Sequence, residues 1–318
     1  MPARRVRVAS VSENRPPWRD EIKVLFASLR VLGGSLAEAP AVAYFVSSVE
    51  RETAAFLGDL GVEVRVVAPE KVAKANVLRM YEEPEAYDWL VALDPDVAVA
   101  GDFAGYLEGA AVLGRVAPNV PFSIEGWEAI FRLFDLELPT TRYMTGMNRA
   151  ETIPYFNGGV LLVPSAHVLA LGSAWRSFAD GLLRERERLP RNVPGGKPWN
   201  RNQISLCLAL AGSGVPTRAL PIAMNFIPTD LDPALDPHHV RPLLLHHQHL
   251  FNRDLTIMPF GYRAPDRTIR RVNRALDATF GRSPFRISYL LRSRLPPDTR
   301  RGPVLRNVAR AARAIGGR

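Results

Sequence analysis

The feature that most constrains this chain is an alternation of short apolar runs with amphipathic stretches over its first hundred residues. VRVAS (Val6 to Ser10) reads as a strand. After the turn-like SENRPP, residues Trp18, Ile22, Leu25, Phe26, Leu29 and Leu32 share one helical face, and Gly33 and Gly34 end that helix. AVAYFVS is a buried strand, residues 50–60 form a helix stopped by Gly61, and VEVRVV is the next strand. A third helical stretch, residues 71–81, leads into the strand WLVALD, which ends at Asp94. Such alternation means β-α-β units, hence an α/β fold with a mostly parallel central sheet and helices on both faces. Ligands of open sheets of this kind bind beyond the carboxyl ends of the strands. A dinucleotide-binding dehydrogenase is excluded, because SVSENRPPW has no glycine where G-x-G-x-x-G would follow the first strand.

Beyond Asp94 the pattern changes. Residues 114–155 read as a loop-rich insertion carrying Trp127, Phe131, Phe134 and Tyr143; Trp127, Phe131 and Tyr143, with Trp199, are candidates for an acceptor groove, packing being the commoner role of aromatics in such segments. YFNGGVLLVP is a strand broken by two glycines. A long helix follows, with Val168, Leu171, Trp175, Phe178 and Leu182 at core spacing. QISLCLALAG reads as a short buried helix, and ALPIAMNFIP and RPLLLHHQ as two further strands. The single cysteine, Cys207, sits in that apolar helix and reads as packing, not as a nucleophile. With no apolar h-region at the N-terminus, these features point to a reducing, cytoplasmic setting.

Three short motifs carry chemistry. In YDWLVALDPDVAV an apolar strand closes on Asp94-Pro95-Asp96, and two carboxylates at such a place are satisfied most simply by a divalent cation. Oxygen ligands favour Mg²⁺ or Mn²⁺, ions commonly shared with nucleotide phosphates. The bland reading is an Asp-Pro turn, and the same spacing does recur as Asp230 and Asp232 in a proline-rich loop. Second, Asn157-Gly158-Gly159 puts glycines inside a strand, the mark of a bulge or of a close approach. Third, LLLHHQHL places His246, His247 and His249 at a strand end, where alternation sets His247 and His249 on one face and His246 on the other.

Taken in order, VALDPDVAV, YFNGGVLLVP, NQISLCLAL, LPIAMNF and LLLHHQH resemble the nucleotide-sugar glycosyltransferases of the GT-A fold, and in particular the retaining enzymes of glycosyltransferase family 8. The resemblance covers roughly residues 5–252. It implies that Asp94 and Asp96 hold Mn²⁺ (or Mg²⁺) against the donor diphosphate, with Asp94 also near the ribose and His246 as third ligand, His247 and His249 being substitutes. It implies that Asn157, Gly158 and Gly159 line the donor sugar and that Asn76 lies near the nucleotide. Ser10, Ser12 and Asn14, in a loop after the first strand, would contact the base, and Asn157, Asn202 and Gln203 would orient the reacting sugar. The donor so implied is a nucleotide-diphosphate sugar, UDP-sugar first; the acceptor is a glycan, lipid-linked or small-molecule hydroxyl, with retention of configuration. Two departures stand out. Asn202-Gln203 replaces the family's Asp-Gln, and the phosphate-binding lysine after the histidines has no counterpart, leaving Arg253 as a substitute; Lys197-Pro198-Trp199 lies elsewhere. The alternatives are a nucleotide-sugar-binding pseudoenzyme and a nucleotidyltransferase on a related fold.

Charge divides the chain. Residues 263–318 carry 15 Arg against 3 Asp, a balance of +12 within a total of +9, which leaves the preceding residues at −3. Residues 1–262 are therefore read as the transferase domain and 263–318 as an Arg-rich, helical or partly disordered tail. The tail suits an anionic membrane surface; no motif accompanies the charge to suggest nucleic acid.

Overall fold

The computed structural model describes residues 4–71, 73–83, 87–147, 149–190, 201–229 and 235–282. The α/β class, with a mostly parallel sheet and helices on both faces, is as the sequence implies. Seven strands form the central sheet: β1 (Val6–Glu13), β2 (Ala41–Val46), β3 (Val62–Val67), β4 (Trp89–Leu93), β6 (Val112–Val116), β9 (Phe156–Pro164) and β10 (Thr217–Ala219). Their order is β10-β6-β9-β4-β1-β2-β3. Strands β1, β2, β3 and β4 run parallel, as do β6 and β10, whereas β9 runs antiparallel to both β4 and β6. Two small sheets flank it: β5 (Val97–Val99) with β11 (Leu244–His246), and the hairpin β7 (Tyr143–Met144) with β8 (Glu151–Thr152).

The strands are apolar on both faces because both faces are covered. Val6, Val8, Ala41, Ala43, Val91 and Leu93 point to one side, where Ile22, Leu25 and Phe26 of helix α1 (Trp18–Leu32) meet them. Ala9, Val42, Tyr44, Leu90 and Ala92 point to the other, under Val168, Leu171 and Trp175 of α4 (Ser165–Arg184) and Leu206 of α5 (Arg201–Gly212). Helix α2 (Arg51–Asp59) joins β2 to β3. Helix α6 (Arg263–Leu276) begins where the Arg-rich segment was expected to turn helical. Its Ile269, Val272 and Leu276 are buried in a third apolar cluster with Val24 and Ala27 of α1 and Ala98 of β5. The rest of the tail, from residue 283, lies outside the described residues.

Several expectations are corrected. β1 continues to Glu13, pairing with β2 as far as Glu13↔Val46, so Ser10 and Ser12 are strand residues and not part of a loop. Residues 73–81 wind as a 3₁₀ helix. The expected loop-rich insertion contains β6 and helix α3 (Ile124–Leu133), whose Ser123 cap accepts from Gly126 N–H. Trp127 and Phe131, on that helix, are fully buried in a fourth cluster and shape no groove. ALPIAMNFIP holds a 3₁₀ turn, Ile222–Met224, and a single bridge, Phe226↔Leu245, in place of a strand. Asp230, Asp232 and Lys197–Trp199 lie outside the described residues.

One buried contact ties α1 to the small sheet that carries the acidic motif. Ser28 Oγ donates to Leu25 O and accepts from Val99 N–H at 2.8 Å, with Ser28 wholly buried. Ser28→Ala leaves that N–H without a partner and is expected to cost about 1–3 kcal/mol in urea unfolding; a variant as stable as the parent would show that the contact contributes nothing.

Candidate active site

The chain builds β1, β2 and β3 outward in one direction, then crosses to the other side of β1 to lay down β4. That reversal opens a crevice beyond the carboxyl ends of β1 and β4, where open α/β sheets bind ligands. A cleft of about 410 Å³ lies there, lined by Val11, Ser12 and Glu13 of β1, Val46 of β2, Trp18 at the start of α1, Asn76, Val77, Asp94, Pro95, Asp96, Asn202 and His249. Among the described residues neither lysine nor arginine lines it.

Strand β4 ends at Leu93, and Asp94 N–H donates to Gly159 O across the sheet at 2.8 Å. Asp94 O accepts from Val97 N–H, so the chain turns through Pro95-Asp96 into β5. β11 pairs antiparallel with β5, setting His246 opposite Val97, and His247 N–H donates to Asp96 O. Both side chains of the acidic motif thus face the last residue of β11. One ligand atom each from Asp94, Asp96 and His246 lies within 4.8 Å of the others. His246 Nε2 is 3.2 Å from Asp96 Oδ1. Burial opposes ionisation of Asp96, but the His246 charge and hydrogen bond, with His247 and His249 beyond, hold its carboxyl well below the usual carboxylate range.

Gly159 makes this approach possible. A Cβ there would lie 2.5 Å from His246 Cε1, 2.8 Å from Asp94 Oδ2 and 3.1 Å from Asn157 Oδ1. The glycine read from the sequence as a close approach is one, and the group that approaches is the acidic and imidazole cluster itself. At Gly158 a Cβ would meet nothing nearer than Leu206 Cδ2 at 4.0 Å. Two carboxylates and an imidazole converging on a space kept clear of side chain suit a divalent cation such as Mn²⁺.

Other expected residues divide. Ser12, Asn76 and Asn202 line the cleft, and Asn76 Oδ1 accepts from Glu70 N–H at 2.7 Å. Ser10 is fully buried within the sheet and is not among the residues lining this cleft. Asn14 bridges the β1 and β2 loops, accepting from Glu50 N–H and donating to Ser48 Oγ. Gln203 Oε1 accepts from the Tyr155 hydroxyl at 2.9 Å. Asn157 Oδ1 accepts from Gly159 N–H and from Asn225 Nδ2. Arg253 is exposed and lines no part of the cleft.

The histidines do not alternate as a strand would. β11 stops at His246, and Gln248 and His249 both adopt left-handed backbone, φ 49° and 64°. The turn buries His247, neither of whose ring nitrogens has a hydrogen-bond partner, and burial pushes its pKa down to about 3. His249 is brought back to the cleft, where its Nδ1 lies 2.5 Å from Glu21 Oε1. Glu21, on α1, is wholly buried, and burial raises its pKa to about 7 against the opposing His249 bond, the Asp96 charge adding to the rise. Burial lowers the His249 pKa, but the Glu21 bond and charge outweigh it and the net shift is upward. Glu21 was not singled out from the sequence, and Trp18 was read only as part of the apolar face of α1. Their signal was a helix N-terminus aimed at a strand-end crevice, with a carboxylate on its apolar side.

Two predictions follow from these contacts. Gly159→Ala crowds the cluster and is expected to weaken Mn²⁺ binding at least tenfold in a titration followed by electron paramagnetic resonance; unchanged affinity would contradict the close approach. Glu21 holds its proton more tightly folded than unfolded, so between about pH 4.5 and 7 the folded state binds more protons and stability falls as pH rises. Relative to Glu21→Gln, the wild-type urea midpoint is expected to drop across that window; a constant difference would refute the shift.

The family model for the Rhodobacterales glycosyltransferase domain matches residues 18–214. No curated protein matches the chain in sequence. Among solved structures, mouse xyloside xylosyltransferase 1 in its apo form aligns at 15% identity and TM-score 0.45, covering 79% of this chain and 99% of that one. The galactosyltransferase LgtC, solved with donor and acceptor sugar analogues, aligns at 13% identity and TM-score 0.48, covering 91% of this chain and 100% of that one. Matched over more than half its length, the chain belongs to the Rhodobacterales glycosyltransferase domain family and is a glycosyltransferase.

Proposed function

We propose that the chain transfers a sugar from a nucleotide-diphosphate donor to a hydroxyl acceptor, with Mn²⁺ or Mg²⁺ at Asp94, Asp96 and His246 and with retention of configuration. The observation that carries this reading is the convergence of those three side chains over Gly159, with both carboxylates lining the switch-point cleft. The difficulty in the reaction is departure of a doubly charged diphosphate, and a cation so held supplies Lewis-acid stabilisation of the leaving oxygens. The chain's own groups supply position. Ser12 and Asn76, which both line the cleft, would contact the nucleotide. Asn157 has committed its carbonyl oxygen to protein donors, which leaves its amide nitrogen for the donor sugar. Gln203, its oxygen held by Tyr155, likewise presents its amide, and Asn202 lines the cleft beside it. Such orientation supplies much of the acceleration in a displacement of this kind. Among the described residues the one further carboxylate lining the cleft, Glu13, is paired with Arg15 at 2.6 Å, which favours attack from the leaving-group face.

UDP-sugar is the favoured donor, and the acceptor is a glycan, lipid-linked or small-molecule hydroxyl. On the outer face of α6, Arg263, Arg267, Arg271 and Arg274 are exposed in one stripe, which supports a peripheral contact with anionic membrane on the cytoplasmic side. No described helix is long and apolar enough to cross a membrane. One observation favours a second reading, a binding protein without turnover: an amide, Asn202, stands in the cleft where the resembling family carries a carboxylate.

A screen of UDP-, GDP- and dTDP-sugars separates the two. Mn²⁺-dependent hydrolysis or transfer is expected with one nucleotide class, falling at least a hundredfold in Asp96→Ala. Binding without turnover of any donor would favour the second reading. With the donor in hand, NMR of the product is expected to show the donor's anomeric configuration, and inversion would overturn the mechanism.

A further inference from the structure

Asn225 is wholly buried beside β11 and lines no part of the cleft. Both ends of its side chain are used. Nδ2 donates to Asn157 Oδ1 at 3.1 Å, and Oδ1 lies 3.0 Å from His246 Nδ1. The direction of each bond is set from the far end of the chain of contacts. Gly159 N–H can only donate, so the Asn157 atom it meets at 2.9 Å is the carbonyl oxygen. That oxygen can only accept, so the Asn225 atom facing it is the amide nitrogen. The remaining Asn225 atom is oxygen, and His246 Nδ1 must carry the proton it accepts. A charged ring also donates from Nε2 to Asp96 Oδ1 at 3.2 Å, so Nε2 is the nitrogen whose proton gives way to a cation and whose lone pair is then offered.

We propose that Asn225 is a positioning residue that sets the His246 tautomer for cation binding. A relay from the Gly159 amide through Asn157 and Asn225 keeps Nδ1 protonated, so that Nε2, beside Asp96, is the nitrogen that would bind a cation. The part of this that concerns a cation rests on the metal-site reading above; the tautomer does not. Without the relay the Asn225 amide can turn over, presenting N–H to Nδ1, so that a neutral ring keeps its one proton on Nε2 against Asp96 and has no lone pair there for a cation. Histidine ligands whose second nitrogen donates to a carbonyl are fixed in orientation and made more basic, and loss of such a partner commonly costs 10–100-fold in metal affinity.

The centre of the relay is itself held. Arg115 Nη1 donates to Asn225 O at 2.6 Å, and Asn225 N–H donates to Ile222 O at 3.2 Å. His246 N–H donates to Phe226 O, so the residue following Asn225 is registered directly against the histidine's own backbone. Gly159 serves twice: its amide begins the relay, and its missing side chain admits the ring that the relay orients.

The test has two arms, both on the full chain. In metal-free wild-type protein, long-range ¹H–¹⁵N correlation of the His246 ring at a pH where it is neutral is expected to show the proton on Nδ1. A ring protonated on Nε2 overturns the proposal. In Mn²⁺ titrations by calorimetry, Asn157→Leu and Asn225→Leu are each expected to lose about 10–100-fold in affinity. Asn157→Asp, which keeps an oxygen for both donors, is expected to retain the Nδ1–H ring and most of the affinity. Folded Leu variants that keep both the tautomer and wild-type affinity refute the relay, and if Asn225→Leu does not fold, Asn157→Leu decides. Wild-type protein with an Nδ1–H ring that takes up no Mn²⁺ would refute the metal-site reading and leave the tautomer relay standing.

Discussion

Electron-rich ligand atoms that need a proton or a cation held among them are the constraint on which this structure turns. Asp94, Asp96 and His246 bring ligand atoms within 4.8 Å, and the His246 nitrogen turned toward Asp96 carries a lone pair when the ring is neutral. Acceptors at that distance repel unless a proton or a cation lies among them. The surroundings answer to this requirement. A glycine clears the space, an antiparallel strand pair delivers the histidine opposite the acidic turn, and the reversal of strand order places the whole cluster at the rim of a cleft.

Helix α1 links that cluster to the core. Its apolar face packs under the sheet, its Ser28 fastens β5, its buried Glu21 grips His249, and its first residue, Trp18, lines the cleft. One helix therefore controls both the stability of the fold and the placement of the groups around the site. Helix α6, packed on α1 through the third apolar cluster, extends this support and turns its arginines outward. Three carboxylates and an imidazole line the cleft, with no lysine or arginine among the described lining residues. An anionic donor would therefore depend on a bound cation for much of its charge balance.

Much of this was legible in the sequence where local pattern and chemistry agree. Short apolar runs separated by helical periods sufficed for the sheet, and an apolar strand closing on Asp94-Pro95-Asp96 marked its binding edge. Glycines within YFNGGVLLVP signalled a close approach, which Gly159 makes. What was not legible depends on partners far away in the chain. β1 extends past Ser10 because β2 offers pairing partners through Val46. The aromatics of α3 read as groove candidates in a loop-rich stretch, yet they fill a cluster under α5. His249 leaves the alternation of its neighbours because two left-handed residues turn it back toward Glu21, 228 positions earlier. Asn225 looked like one polar residue in an apolar strand; its significance appears only when Asn157, Gly159 and His246 are brought around it.

The central claim is that a divalent cation completes the electron-rich cluster. The most direct test is anomalous scattering from crystals grown with Mn²⁺ and UDP. The account predicts one strong peak within bonding distance of Asp94, Asp96 and His246 Nε2, with the diphosphate on its open side. A peak at Glu21 and His249 alone, or none in crystals whose cleft holds UDP, would contradict it.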